Sequence, residues 1–199
     1  MKRVLAKAKA LAAACLLGMV GACAHVDRGS GALIDGANGM DNWTPLGSAN
    51  WRAQDDVIEA DGMSSNAGGY LVSKGNYGDF RLHVEFWVGP DAKSGIFLRC
   101  ADPQAFTSKN CYEVQIYDQR PEPRYRTGAI VNVADASTPM LAGGRWNTYD
   151  IIARGSHLKV ILNGVRTVDV EDGKLADGRI VLQYRGGVVR FRSVRIAPF

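Results

Sequence analysis

The chain has 199 residues, 46% hydrophobic and 22% charged, a balance that excludes an intrinsically disordered chain and suffices for one packed core. It carries 24 Lys and Arg against 20 Asp and Glu; four of the basic residues, Lys2, Arg3, Lys7 and Lys9, belong to an N-terminal leader, so the remainder balances at 20 against 20. A balanced body has no general attraction for phosphate backbones, which sets nucleic acid aside as a partner and favours neutral ligands.

In chain order, the basic residues precede the apolar run Ala10 to Val20, which stops at Gly21, Ala22 and Cys23. That is the pattern of a secretory signal. The run falls short of the roughly 20 apolar residues that span a bilayer. Its end, VGAC, resembles a bacterial lipobox, in which Cys23 is acylated and becomes the new N-terminus. Ala24, standing where Asp would retain a lipoprotein at the inner membrane, resembles the outer-membrane sorting pattern. The expected organisation is a signal over residues 1–22, a lipidated tether over 23–32 and one domain over 33–199. The expected location is the outer membrane, facing the periplasm or the cell surface, with membrane contact only through the anchor.

Beyond the tether, short alternating or aliphatic runs recur between turn signals: GGYLVSK, DFRLHVEFWV, SGIFLR, YEVQIYD, GAIVNV, NTYDIIAR, HLKVILNG, VRTVDV, RIVLQYR and VVRFRSVRI. Many short strands with no amphipathic helix predict an all-β sandwich. Asn163-Gly164 is a strong hairpin signal, and Asp61-Gly62 and Asp172-Gly173 are weaker ones. VVRFRSVRI does not alternate cleanly, since Arg190 and Arg192 share parity with Val194 and Ile196; a bulge would reconcile it.

Of the four cysteines, Cys15 leaves with the leader and Cys23 is assigned to lipid. Cys100 and Cys111 remain, each bordering a strand in an exported protein, and are expected to pair. The loop so closed contributes about 3 kcal/mol in the chain-entropy account. Two free buried thiols are the alternative.

Side chains alternate between the faces of a strand, so Arg99 shares a face with Phe97 and Gly95, while Glu113, Gln115 and Tyr117 share one on the next strand. If Ile96 and Leu98 meet Val114 and Ile116 in the core, the polar set gathers on the opposite surface as a candidate site. The competing reading is a cross-strand Arg99–Glu113 ion pair on a solvated sheet. In RLHVEFWV the polar parity set is Arg81, His83, Glu85 and Trp87, and in RIVLQYR it includes Gln183 and Arg185. Glu85 and Trp87 thus extend the candidate surface. His83 and Glu85 lack a third metal ligand and read as a surface pair. Trp146 reads as core.

The order and spacing of LIDGANGMDNW, YGDF, SGIFLR, YEVQIYD, TGAI, GRWNTYDI, LNGV and IVLQYRGGVVRFRSVRI, from about Ala32 to the C-terminus, resemble the DUF1080 family of 3-keto-disaccharide hydrolases and 3-keto-glucoside 1,2-lyases. The resemblance implies a concanavalin A-like jelly-roll β-sandwich of two antiparallel sheets. It also implies a small carbohydrate substrate and an upstream sugar oxidoreductase that makes the keto group. It names no cofactor and leaves a divalent metal open. Cleavage by C2 proton abstraction needs a base, an enolate clamp and hydroxyl contacts. These roles are expected of Glu113, Arg99 and Gln115, with Glu85, Tyr117, Gln183, Arg185, Trp87 and Lys93 as further substrate contacts. The chain departs from the family pattern at Lys93, where Asn commonly precedes SGI, at Tyr184-Arg185, where His often follows LQ, and at Ser193 in place of Asn. Two other readings stand beside it. In a conventional glycoside hydrolase, Asp118 would have to join Glu113 on one face. A noncatalytic lectin-like lipoprotein needs no such pair.

Overall fold

A computed structural model describes residues 31–199; the leader, Cys23 and most of the expected tether lie outside them. The strands are β1 (Gly31–Asp35), β2 (Trp43–Gly47), β3 (Arg52–Gln54), β4 (Val57–Ala60), β5 (Gly69–Ser73), β6 (Phe80–Val88) and β7 (Ser94–Cys100). They continue as β8 (Tyr112–Ile116), β9 (Arg145–Arg154), β10 (His157–Leu162), β11 (Val165–Glu171), β12 (Arg179–Tyr184) and β13 (Val189–Pro198). β1 starts at Gly31, so the last two residues of the expected tether already belong to the domain, where they pair with Ile196 and Arg195.

The strands form two antiparallel sheets. One runs β11-β10-β9-β6-β13-β4-β3, with β1 also on β13; the other runs β2-β5-β12-β7-β8. Alternation explains why they stack. On β6, Phe80, Leu82, Val84, Phe86 and Val88 are buried while the residues between them face outward. They meet Ile96 and Leu98 of β7, Val114 and Ile116 of β8, and Leu182 of β12 in one core. Burying such side chains contributes about 1.5–3 kcal/mol each.

The irregular C-terminal run is resolved by a bulge in the β13–β6 register between Phe191 and Ser193. It leaves Arg192 exposed and buries Phe191, Ser193 and Val194, so parity changes within the strand. Asn163-Gly164 forms the expected two-residue hairpin between Leu162 and Val165, with φ of 50° and 80°. Asp61-Gly62 and Asp172-Gly173 do not join paired strands. GAIVNV is not a strand: Asn132 turns at φ 61°, and the segment meets β8 only through bonds such as Val131 N to Glu113 O. Trp146 is not core; it is 39% exposed beneath the Arg192 guanidinium.

Candidate functional site

The outer face of the five-stranded sheet can be read row by row from its register. One row places Val72, Val181, Phe97 and Glu113 side by side across β5, β12, β7 and β8. The next places Tyr70, Gln183, Gly95 and Gln115. Beyond the strand ends, Arg185 N donates to Lys93 O, and Lys93 Nζ stands over the Tyr117 ring, 5.0 Å from its centroid. The polar members of these rows line a cleft of about 300 Å3 with Phe106 and Arg120. Six of the nine expected site residues therefore share one recess: Glu113, Gln115, Tyr117, Gln183, Arg185 and Lys93.

Gly95 makes the recess possible. A methyl group there would lie 3.3 Å from Val114 O and 3.5 Å from both Glu113 Cγ and Gln183 Oε1. Any larger side chain would occupy the floor between the carboxylate and the amide.

Loop 101–110 supplies one wall. The Cys100–Cys111 disulfide closes it, as expected. Phe106 packs on Tyr70 and Phe97, with ring centroids 4.8 and 6.3 Å away. Phe97, Val72, Val181 and both cysteines form a small second core beneath that wall. Phe97 and Val181 are thus buried on a face that alternation alone would leave wet.

Arg99 does not join the recess. The β7–β12 register slips between Phe97 and Cys100, and Arg99 takes a left-handed φ of 50°. The backbone of Gly178, at φ 151°, fits against the bulge; a Cβ there would stand 2.4 Å from Arg99 C. The bulge turns Arg99 out of parity with Phe97, so its side chain is fully buried. Nε donates to Gly78 O at 2.9 Å, Nη1 to Gly155 O at 2.7 Å and Leu175 O at 2.9 Å, and Nη2 to Asp79 Oδ1 at 3.1 Å. Arg99 therefore ties loops together, and neither the enolate clamp nor the Arg99–Glu113 pair exists.

Glu85 and Trp87 are also misplaced by the sequence reading. Both lie on β6, in the other sheet, and face away from the cleft across the sandwich. Glu85 pairs with Arg192 at 2.7 Å, and Arg190 covers the Trp87 ring at 4.7 Å. His83 hydrogen-bonds Asp150 at 2.8 Å, consistent with a surface cluster. No group of three His, Cys, Asp or Glu side chains that could hold a metal occurs among the described residues.

Among the described residues, Glu113 is the only carboxylate in the cleft lining. Burial pushes its carboxyl above the ordinary value, opposed by the charge of Arg120, a hydrogen bond from Gln115 Nε2 and the charge of Arg185. Arg120 was missed in the sequence because it follows a turn after β8, where parity no longer indicates direction. Its Nε lies 3.1 Å from Glu122 Oε2 but is buried without a hydrogen bond, because the contact is close yet poorly aligned. Asp118 is committed elsewhere: it accepts from Thr127 Oγ1 at 2.5 Å and from Ala142 N and Gly143 N at 2.9 Å each.

Two antiparallel sheets packed face to face, with a polar cleft on one outer face, define a concanavalin A-like jelly roll. Within that class the chain belongs to the 3-keto-alpha-glucoside-1,2-lyase-like domain family, which it matches over residues 29–197. No curated protein matches it. A candidate glycosyl hydrolase from Parabacteroides distasonis superposes with a TM-score of 0.71 at 18% identity, over 86% of this chain and 94% of that one. A carbohydrate-binding module from Bacillus subtilis gives 0.61 at 16% identity, over 78% and 95%. The Bacillus licheniformis β-glucanase gives 0.61 at 14%, over 86% and 99%. At these identities the likeness is one of fold.

Proposed function

We propose that the protein cleaves 3-keto-glycosides, with Glu113 as the base. The observation that carries this reading is a half-buried carboxylate, single among the described residues of the lining and raised in proton affinity, at the floor of a sugar-sized cleft in a chain of this family. A ketone at C3 acidifies the C2 proton because the resulting anion delocalises as an enolate. Glu113 removes that proton, and the C2–H electrons form the C2=C3 bond as charge moves to O3. The enolate then collapses: C3=O reforms, C1=C2 forms, and the C1–O bond breaks. The departing oxygen takes the proton from Glu113. Addition of water across C1=C2 yields the free keto sugar, so the net result is hydrolysis.

In this scheme Arg120 replaces Arg99 as the cation nearest the developing enolate, and the amides of Gln115 and Gln183 contact sugar hydroxyls. Acid/base help of this kind contributes about 10²- to 10⁴-fold. A conventional retaining hydrolase needs two carboxyls about 5 Å apart. With Asp118 bound to backbone amides and Glu113 the one acid among the described residues of the cleft, one-base elimination is the better fit. We place the protein at the outer membrane, anchored through Cys23, and receiving its substrate from a sugar oxidoreductase.

The test is incubation of the purified protein with a 3-keto disaccharide and with its unoxidised parent, following both products and any glucal intermediate. Cleavage of the keto sugar alone is expected. Cleavage of both would indicate a conventional hydrolase, and saturable binding without turnover a lectin.

A further inference from the structure

The balanced charge of the chain conceals an uneven distribution. On the eight-stranded sheet several arginines are matched: Arg52 and Arg190 to Glu59, Arg192 to Glu85, Arg195 to Asp35. In the cleft Arg120 stands 3.1 Å from Glu122, but two further cations have no such partner among the described residues. Lys93 and Arg185 are both exposed, stand on adjacent backbone joined by the Arg185 N to Lys93 O bond of 2.9 Å, and form no ion pair among the described residues. Lys93 contacts the Tyr117 ring, and Arg185 Nη1 reaches only Ala67 O at 3.4 Å. The one acid lining the cleft among the described residues is Glu113, which lies two rows away along the strand and forms no ion pair with either cation, although the charge of Arg185 is felt there.

The spacing has chemical content. Four residues of strand separate the Lys93–Arg185 row from that of Glu113, about 13 Å of backbone. That span accommodates one sugar ring together with the reach of the long Lys93 and Arg185 side chains toward it. A ring whose C2 meets Glu113 therefore turns its opposite edge, where C5 and its substituent stand, to the two cations.

We infer that the protein takes an acidic saccharide, whose ring bears a fixed negative charge on the C5 substituent held between Lys93 and Arg185. A uronate carboxylate fits the fork of Arg185 with Lys93 as a second point charge, and a sulfate ester offers the same charge with different geometry. The inference rests on Glu113 facing C2 of a 3-keto sugar, as proposed above. It reverses the expectation of neutral ligands drawn from net charge, and gives a physical role to two positions where the chain departs from its family pattern.

The experiment separates binding from turnover. Calorimetric titration of the full chain with methyl glucoside, methyl glucuronide and methyl glucoside 6-sulfate reads the charge preference without any reaction. The glucuronide is expected to bind about tenfold more tightly than the glucoside at low salt, because two partly exposed pairs contribute modestly and salt screens them. Lys93→Gln with Arg185→Gln, both at exposed positions that leave the core untouched, should abolish that preference. A tighter sulfate ester would keep the fixed charge and replace the uronate as its source. Equal or tighter binding of the neutral glucoside, or a preference that survives the double substitution, overturns the inference. Turnover of the 3-keto glucoside and 3-keto glucuronide is then compared. If neither is cleaved while the acidic preference holds, the Glu113 chemistry fails and the anion site stands. If both are cleaved with equal kcat/KM, the chemistry stands and the anion site fails.

Discussion

Gln115 Nε2 donates to Glu113 Oε1 at 3.3 Å, two residues along one strand and on the cleft side of it. The bond favours the carboxylate, while burial favours the acid and prevails, so Glu113 titrates above an ordinary glutamate. A base must be deprotonated to act, so kcat/KM should rise with pH through a limb lying above the usual value of 4.5. Gln115→Leu removes the donor and should move that limb further upward. A pH–rate profile checks this, and a limb that moves down or stays fixed would remove Glu113 as the titrating base.

The same carboxylate has a cost for stability. Its folded pKa is raised, so it contributes stability that is present below the unfolded value and lost as pH rises through the folded one. Glu113→Gln should therefore lower turnover by about 10²- to 10⁴-fold and yet melt at a higher temperature than the parent at neutral pH. That advantage should disappear as pH falls below 4.5. Thermal melts across pH read it directly.

Gly95→Ala tests the shape of the floor. The added methyl would stand 3.3 Å from Val114 O and 3.5 Å from Glu113 and Gln183, a crowding the strand can absorb. Stability should change by less than about 1 kcal/mol. The substrate ring, which must approach both side chains, would be lifted, and a displacement of this kind costs about 10²-fold in kcat/KM. Equal kinetics for the two proteins would show that the sugar does not sit over Gly95.

Much of this site was legible because β7 and β8 pair as their aliphatic parity demands, which fixes Gly95 opposite Gln115 and Phe97 opposite Glu113. Three residues escaped the same logic for two physical reasons. Arg99 lies in a bulge, where parity inverts; the sequence carries no glycine or other mark of it, and only the structure shows the positive φ adopted there. Glu85 and Trp87 do face outward as their alternation predicts, but alternation does not say which sheet a strand joins, and β6 joined the sheet without the cleft. Early strands were missed for a related reason. β3 and β4 are short and turn at Asp55-Asp56, where φ of 48° and 59° is adopted without the glycine that usually signals such a hairpin.

The corrected role of Arg99 makes its own prediction. Its guanidinium satisfies three backbone carbonyls, those of Gly78, Gly155 and Leu175, and the Asp79 carboxylate. Arg99→Lys keeps the charge but cannot span this fork, and should destabilise the fold by about 1–3 kcal/mol. Turnover per folded molecule should be unchanged at temperatures where the variant is native. A selective loss of kcat in a protein that melts normally would restore Arg99 to the chemistry.

Reduction of Cys100–Cys111 addresses the wall rather than the floor. The bridge closes the loop that carries Phe106 onto Tyr70 and Phe97, above the apolar row that ends at Glu113. Opening a loop of this length costs about 3 kcal/mol in chain entropy. Cys100→Ser with Cys111→Ser should lower the melting temperature, and free Phe106 to leave its neighbours. Water would then reach Glu113, whose carboxyl is held up by burial, so its value should fall toward that of an ordinary glutamate. The ascending limb of the pH–rate profile should accordingly move down in the double variant, opposite in direction to Gln115→Leu. A double variant with a lower melting temperature and an unmoved limb would mean that the loop braces the domain without shielding the carboxylate.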